Sequence, residues 1–157
     1  MSSLIFTLPF FYIVGFDGVG NVAQKFFFHW AFEALYMSTL VYLGQFLAAV
    51  MPTAAAAGVV GGMMSTLISL FCGFMIRVDD FPTFWLFLYW LNPLHYALEG
   101  INMVQFHDDT TIITEFTGAT TTAEDYMNNF YSSWSYDHRY GDILALVAFL
   151  IVFRVST

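Results

Sequence analysis

The 157-residue sequence is too apolar for a soluble domain, because 59% of its residues are hydrophobic and only 10% are charged, whereas roughly a quarter of residues are charged in soluble domains. Twelve acidic residues outnumber four basic ones, which are far apart at Lys25, Arg77, Arg139 and Arg154. No basic surface for nucleic acid is therefore expected. The single cysteine, Cys72, excludes an internal disulfide. The chain is interpreted with the lipid bilayer as its solvent.

Apolar runs in the first half of the chain predict membrane helices, since about 20 apolar residues cross a bilayer. Residues 4–16 are too short and are predicted to be the end of a span; they lack the features of a signal peptide. Residues 26–51 and 54–76 are each long enough to cross. A tight turn at Pro52 joins them, with the proline expected in the first turn of the second helix. The two segments are predicted to form an antiparallel hairpin.

A very aromatic segment follows, and prolines interrupt it at Pro82 and Pro93. Broken helices at membrane depth are tolerated only where protein or water covers the freed backbone groups. Residues 81–103 are therefore predicted to form re-entrant or interfacial helices, with their tryptophans and tyrosines near lipid headgroups. The alternative is one kinked span, which would reverse the topology of everything downstream.

The last third of the chain is a polar region followed by a short apolar run. Residues 104–139 are rich in threonine, asparagine and acids and are predicted to form a water-exposed loop. Residues 143–153 would cross roughly half a bilayer, so residues 141–157 are predicted to be a truncated last span. Together with the short first segment, this predicts a chain that is cut inside membrane helices at both ends.

Small residues recur at intervals of four along residues 54–76 and are named the small-residue stripe. One row is Thr53, Ala57, Gly61, Ser65, Ser69 and Gly73, and a parallel row is Ala54, Gly58 and Gly62. Such spacing lets another helix approach closely in lipid. The stripe could serve helix packing alone or also border a substrate path. The bulky residues between, such as Met64 and Phe71, suit an apolar ligand and lipid contact equally.

Candidate chemical groups are few. Glu33 lies about one turn inside its predicted span, where an ionisable group usually faces a partner or water; coupling to a proton or cation and simple pairing with Lys25 both fit. The four histidines have no zinc-like spacing, so no metal site is expected. The sequence contains neither a GxxxxGK[ST] phosphate loop nor a GxSxG elbow. No catalytic residue is assigned, and the chain is not expected to be an enzyme by itself.

A long motif follows the predicted helix at residues 54–76, which contains no charged residue. That helix is predicted to end in the sequence CGFMI at residues 72–76, and Phe81-Pro82 comes next. The pattern Tyr-Trp-x-x-Pro-x-x-Tyr-x-x-x-Gly is then formed by Tyr89, Trp90, Pro93, Tyr96 and Gly100. In this order the features resemble the pleiotropic-drug-resistance type of subfamily G ATP-binding cassette exporters. The resemblance covers nearly the whole chain.

The resemblance implies an all-α fold: a polytopic helical bundle that is part of an ABC-2 type membrane domain, with a re-entrant helix pair and an extracellular loop. It implies that the loop at 104–139 lies outside the cell and Pro52 on the cytosolic side of the plasma membrane. The implied partners are the other membrane half, the nucleotide-binding domains that hold ATP and Mg, the lipid bilayer and a hydrophobic substrate. No cofactor is expected in this chain itself.

The resemblance also implies site residues. In such exporters the fifth membrane helix, which residues 54–76 resemble, borders a central cavity, and bulky residues near its outer end form a valve. Matching Gly73 to the glycine before the valve places the valve at Phe74 and Met75. The positions that face the substrate pathway are then Gly62, Thr66 and Ser69. The expected function is ATP-driven export of hydrophobic compounds or lipids; the rival hypothesis is a membrane subunit that assembles or anchors without transporting.

Overall fold

A computed structural model describes residues 2–15, 21–76, 78, 81–114, 118 and 120–156. Phe16, Arg77 and Thr157, which end or follow predicted segments, lie outside the described residues. The described chain is mostly helical. Its helices are α1 (Ser2–Val14), α2 (Val22–Val50), α3 (Ala54–Leu70), α4 (Leu86–Trp90), α5 (Pro93–Phe106), α6 (Ala123–Phe130) and α7 (Arg139–Val155), and its strands are β1 (Ile112–Thr114) and β2 (Thr120–Thr122).

Helices α2, α5 and α7 pack on one another and form the main core. Its buried side chains are Phe32, Ala97, Val104 and Leu146. At Gly100 the backbone of α5 lies directly on the Phe32 ring, and a Cβ there would be 2.1 Å from that ring. The glycine of the predicted motif is therefore what allows α5 to approach α2.

Helix α2 is the longest element, with 29 residues and a length of about 44 Å at ~1.5 Å per residue. Among the described residues it is the one helix whose length and apolar composition are both sufficient to cross a membrane. Helices α1 and α3 are shorter apolar helices. Helix α2 begins four residues before the predicted start at residue 26 and brings Lys25 into its first turn.

Helix α3 differs from its prediction at both ends. Its N-cap is Thr53, whose hydroxyl accepts from the Ala56 amide at 3.2 Å. Pro52 thus precedes the cap instead of occupying the first turn, because the threonine side chain supplies the better cap. The helix also ends at Leu70, so the predicted extension to residue 76 is wrong. The reason is Gly73, whose φ of +85° is left-handed and incompatible with a continuing helix.

The segment after α3 contains the predicted interruption at Asn92-Pro93. A short 3-10 turn at Thr83–Trp85 leads into α4, and α5 starts at Pro93. The Asn92 side chain accepts from the Leu94 amide at 2.9 Å and donates to the Ile68 carbonyl at 2.7 Å. One asparagine thus caps α5 and ties the break to the end of α3.

The polar region has more structure than a loop. Strands β1 and β2 pair antiparallel, with Ile112 opposite Thr122 and Thr114 opposite Thr120. The Thr122 hydroxyl then accepts from the Asp125 amide at 3.2 Å and caps α6. The all-α expectation is therefore corrected: a two-stranded sheet is present among the described residues, built where β-branched threonines and isoleucines are frequent.

Candidate functional site

The predicted pathway residues share one side of α3. Gly62, Thr66 and Ser69 follow one another at spacings of four and three and are exposed, which places them on one helix face. The Thr66 hydroxyl donates to the Gly62 carbonyl at 3.0 Å. No described atom lies within 4 Å of the position that a Gly62 Cβ would take. This face is not filled by the described part of the chain.

The residues of the small-residue stripe lie in two different surroundings. A Cβ on Gly61 would lie 3.7 Å from Leu47 Cδ1, so this glycine faces α2. Gly58, like Gly62, has open space where its Cβ would be. Ala57 is half-buried and Ser65 is exposed. Of the predicted packing residues, then, Gly61 contacts the neighbouring helix of the same chain, whereas Gly58 has no described atom near its missing Cβ.

The predicted valve residues lie in the turn after α3 and not on the helix. Phe74 and Met75 are 54% and 71% exposed. The preceding Gly73 is buried, and a Cβ there would lie 2.8 Å from Cε2 of Tyr89. The turn is therefore pressed against α4, and this close approach together with the left-handed φ requires glycine.

Three aromatic side chains form a cluster beneath this turn, which we name the aromatic base: Tyr89, Tyr131 and Trp134. The Trp134 indole N–H donates to the Tyr89 hydroxyl at 3.2 Å. The Tyr131 and Trp134 rings stack with their centroids 4.1 Å apart, and Phe74 stacks on Tyr131 at 6.4 Å. Burial raises the pKa of the Tyr131 phenol, so this ring stays neutral. The base thus positions one of the two predicted valve residues.

Sequence analysis missed the role of the polar region in this cluster. Tyr131 and Trp134 come from the segment between α6 and α7, which the composition placed in a solvated loop. The available signal was the density of aromatic residues in residues 126–136, YMNNFYSSWSY. Aromatic rings in an otherwise polar loop indicate burial against another element.

The residues of the re-entrant motif have distinct positions. Tyr89 is buried in the aromatic base, whereas Trp90 is 59% exposed. Pro93 occupies the first turn of α5, where its missing N–H costs no hydrogen bond. The Tyr96 hydroxyl donates to the Trp90 carbonyl at 2.9 Å across the helix break, and Gly100 lies on Phe32. Tyr96 therefore bridges the break, Tyr89 and Gly100 pack it against neighbouring elements, and Pro93 starts the second helix.

A small apolar pocket lies between α3 and α4. Its volume is about 80 Å³, and it is lined by Met64, Leu67, Ile68, Phe71, Leu88, Leu91 and Asn92. Pockets for drug-sized ligands measure roughly 300–1,000 Å³. A large apolar substrate would therefore need surfaces beyond this pocket.

Lys25 and Glu33 do not pair with each other. The Lys25 ammonium donates to the carbonyls of Gln105 at 2.8 Å and His107 at 2.9 Å. It therefore caps the C-terminal end of α5. The Glu33 carboxyl forms a hydrogen bond with Thr7 of α1. The alternative in which Glu33 simply pairs with Lys25 is therefore wrong, and each residue instead links two helices.

His107, Asp108 and Glu124 come together in the polar region, with potential ligand atoms within 4.8 Å of one another. Nδ1 of His107 is 3.1 Å from a Glu124 oxygen, while Nε2 is 3.6 Å from an Asp108 oxygen. Each ring nitrogen faces a different carboxylate, so the imidazole bridges the two acids in this structure. Nothing in the spacing of the histidines indicated that Glu124, 17 residues further along the chain, would meet His107.

Comparison with known families identifies the chain. The family model described as ABC-2 type transporter matches residues 1–106. The chain belongs to the ABC-2 type transporter family. ABC transporter G family member 31 from Oryza sativa is 30% identical over 130 residues, which cover 82% of this chain and 9% of the relative. The ATP-dependent permease AUS1 from Saccharomyces cerevisiae is 33% identical over 107 residues, or 68% of this chain and 8% of the permease.

A third relative extends the match along the chain. ABC transporter G family member 41 from Arabidopsis thaliana is 26% identical over 157 residues, which cover 97% of this chain and 10% of the relative. The chain thus spans about a tenth of the length of these relatives. The predicted kinship with subfamily G is confirmed. Membrane domains of the ABC-2 family are integral to the membrane and work with nucleotide-binding domains, whose signature phosphate loop this sequence lacks.

Proposed function

We propose that this chain is a membrane-spanning part of an ATP-driven exporter of hydrophobic compounds or lipids, and that it lines the substrate pathway. Gly62, Thr66 and Ser69 border the path, and Phe74 and Met75 form its valve. The observation that carries the proposal is the turn after α3, where two exposed bulky side chains follow a glycine that is fixed on a buried aromatic base. Both side chains are apolar and exposed, and the turn that carries them rests on the buried aromatic base.

The proposed topology follows the helices in chain order. Helices α1, α2, α3 and α7 cross or enter the bilayer of the plasma membrane, with Pro52 on the cytosolic side. The segment 81–103 enters from the outside and returns there, and the polar residues 104–139 stay outside. Support comes from Asn92, which lies at the break between α4 and α5. Its side chain donates to the Ile68 carbonyl and so keeps the break beside the C-terminal end of α3. At 17 residues, α3 reaches the lower limit of about 17 for a span.

The proposed mechanism is alternating access. ATP and Mg bind the nucleotide-binding domains, and their closure narrows the cavity between the two membrane halves. The substrate then passes the valve toward the outside. Nucleotide can drive this cycle only if its affinity differs between the inward-open and outward-open states. Support for a second membrane half comes from the face of α3 that carries Gly58 and Gly62, where no described atom fills the space of a missing Cβ.

The test is Phe74→Ala and Met75→Ala in the full-length transporter that contains this sequence. Export of a hydrophobic dye and ATP hydrolysis are measured in parallel. We expect export to fall several-fold relative to hydrolysis, because a smaller side chain leaves the valve leaky. Phe27→Ala is the matched control, since Phe27 is a similarly exposed phenylalanine, at 60%, on α2. Unchanged export and hydrolysis in both valve variants would contradict the site assignment.

The second candidate function is a membrane subunit that assembles or anchors without transporting. The same open face of α3 favours it, because small residues without a described neighbour suit close helix contact in lipid. The two functions differ in one result. If Gly58→Ala abolishes assembly of the complex while the valve variants leave export intact, the assembly role is the better account.

A further inference from the structure

A buried carboxylate outside the valve joins distant parts of the chain. Glu99 of α5 is 3% exposed. Its Oε1 accepts from the Ser135 amide at 3.1 Å and lies 2.8 Å from Nδ1 of His138. These partners are 36 and 39 residues further along the sequence. Glu99 therefore fastens the segment between α6 and α7 to the re-entrant helix.

The same segment carries the aromatic base. Tyr131 and Trp134 lie only a few residues before Ser135, and both are buried against the turn that bears the predicted valve. The Trp134 indole reaches Tyr89, next to Gly73. A displacement of residues 131–138 would thus move the support of Phe74.

The remaining charged and titratable groups around Glu99 come from α5, α4 and α7. His95 lies one turn earlier on α5, with Nε2 3.5 Å from Glu99 Oε2, and its ring contacts Tyr89 at a centroid distance of 4.0 Å. From α7, Asp142 is 4% exposed, and its Oδ2 has no hydrogen-bond partner among the described atoms. Arg139 instead donates to the Tyr136 carbonyl at 2.9 Å.

His138 is the member of the group that reaches water. Its side chain is 58% exposed, whereas that of Glu99 is 4% exposed. A buried carboxylate is costly unless a charged partner compensates it, and a hydrogen bond between two charged groups is about twice as strong as a neutral one. Histidine is the side chain that normally changes charge between about pH 5 and 8. A protonated His138 ring would make this a bond between two charged groups, and loss of that proton would leave the weaker bond of a neutral ring.

We propose that Glu99, Ser135 and His138 form a pH-sensitive clasp that holds residues 131–138 on α5 and so positions the aromatic base under the valve. Glu99 is in this account a positioning residue that acts through Tyr131 and Trp134. The effect on export rests on the proposed function, whereas the clasp itself does not.

The test is hydrogen exchange measured by mass spectrometry on residues 131–138 in the full-length transporter in lipid nanodiscs. Exchange is followed from pH 5.5 to 8 and corrected for the intrinsic dependence of amide exchange on pH. In the wild type we expect local opening to rise about fivefold toward pH 8, as a charge-assisted bond becomes a neutral one. Export should slow over the same range.

Two variants isolate the charge. Glu99→Gln keeps an oxygen acceptor for the Ser135 amide, and His138→Asn keeps a neutral donor near the position of Nδ1. Both are expected to lose the pH dependence of exchange and to behave at every pH as the wild type does at pH 8. Asp137→Asn is the control, because Asp137 is 95% exposed beside the clasp and does not touch Glu99.

The outcomes separate the clasp from the valve. A flat pH profile in the wild type, or an unchanged profile in His138→Asn, overturns the clasp. If Glu99→Gln fails to fold, His138→Asn alone decides, since its ring is on the surface. A pH-dependent clasp combined with normal export by the Phe74 and Met75 variants would leave the clasp standing and overturn the proposed valve.

Discussion

The core formed by α2, α5 and α7 and the exposed helix α3 use small residues in opposite ways. In the core, position 100 requires glycine, because an added Cβ would lie 2.1 Å from the Phe32 ring. On α3, Gly58 and Gly62 have no described atom within 4 Å of theirs. Within residues 54–70, all of which the structure describes, no residue is buried.

The difference shows which contacts this chain completes by itself. Association of helices in lipid depends on van der Waals packing and hydrogen bonds rather than on exclusion of water. The core has both kinds of contact: Phe32 and Leu146 are fully buried, and Lys25 closes the end of α5. Helix α3 is held at few points, mainly at Gly61 beside Leu47 and at the bond from Asn92. Its free face suits the other membrane half that the proposed function requires.

The largest expected effect is that of Gly100→Ala. The added methyl group would overlap the Phe32 ring and force α5 away from α2, at a cost of about 3 kcal/mol. The unfolding temperature of the purified transporter and the yield of folded protein both report this loss of stability. Gly44→Ala is the matched control, because Gly44 lies within α2 and no described atom lies within 4 Å of the place of its missing Cβ; this change should leave the unfolding temperature unchanged or slightly higher. Equal behaviour of the two variants would mean that the Phe32 ring does not exclude a side chain at position 100.

A smaller effect is expected for Gly73→Ala, at the junction between α3 and the segment 81–103. Its left-handed φ costs a non-glycine residue about 1–2 kcal/mol, and the contact with Tyr89 adds to this. Gly118→Ala separates the two causes, because Gly118 has a φ of +84° but no described atom lies within 4 Å of the place of its missing Cβ. Export and unfolding temperature should fall more for Gly73→Ala. An equal loss in both would mean that Tyr89 does not press on the turn.

The smallest effect is expected for Glu33→Gln, at the edge of the core. The amide oxygen can still accept from the Thr7 hydroxyl, so the link between α1 and α2 is kept. We expect export and ATP hydrolysis to stay within about twofold of the wild type, a change of roughly 0.4 kcal/mol. Loss of export with normal folding would instead assign Glu33 a role in coupling to a proton or cation.

The sequence predicted the features that depend on local chemistry. The break at Asn92-Pro93 was predicted because proline interrupts a helix; the Asn92 side chain that caps the next helix is an addition from the structure. The end of α3 at Leu70 was not predicted, because the sequence stays apolar and uncharged through Ile76, and the left-handed φ of Gly73 and its close contact with Tyr89 are seen only in the folded chain.

The missed features depend on contacts between distant residues. The aromatic base joins Tyr89 to Trp134, which is 45 positions away, and Glu99 meets its partners after 36 and 39 positions. Neither pairing leaves a periodic pattern in the sequence. The small-residue stripe was predicted to serve helix packing alone or also to border a substrate path, but the difference between Gly61 and Gly62 is set by where α2 lies. Assignment of the pathway and the valve remains a prediction that the variants above address.

Labelling from the two sides of the membrane tests the re-entrant path most directly. Single cysteines replace Thr53, Thr83 and Asp137 in a full-length transporter without other reactive cysteines, and a membrane-impermeant maleimide is applied from each side. We predict that Thr83→Cys and Asp137→Cys react from the outside and Thr53→Cys from the cytosol. Reaction of Thr83→Cys and Asp137→Cys from opposite sides would show that residues 81–103 cross the bilayer. It would contradict the proposed topology, in which the clasp and the valve lie at the same, outer side of the membrane.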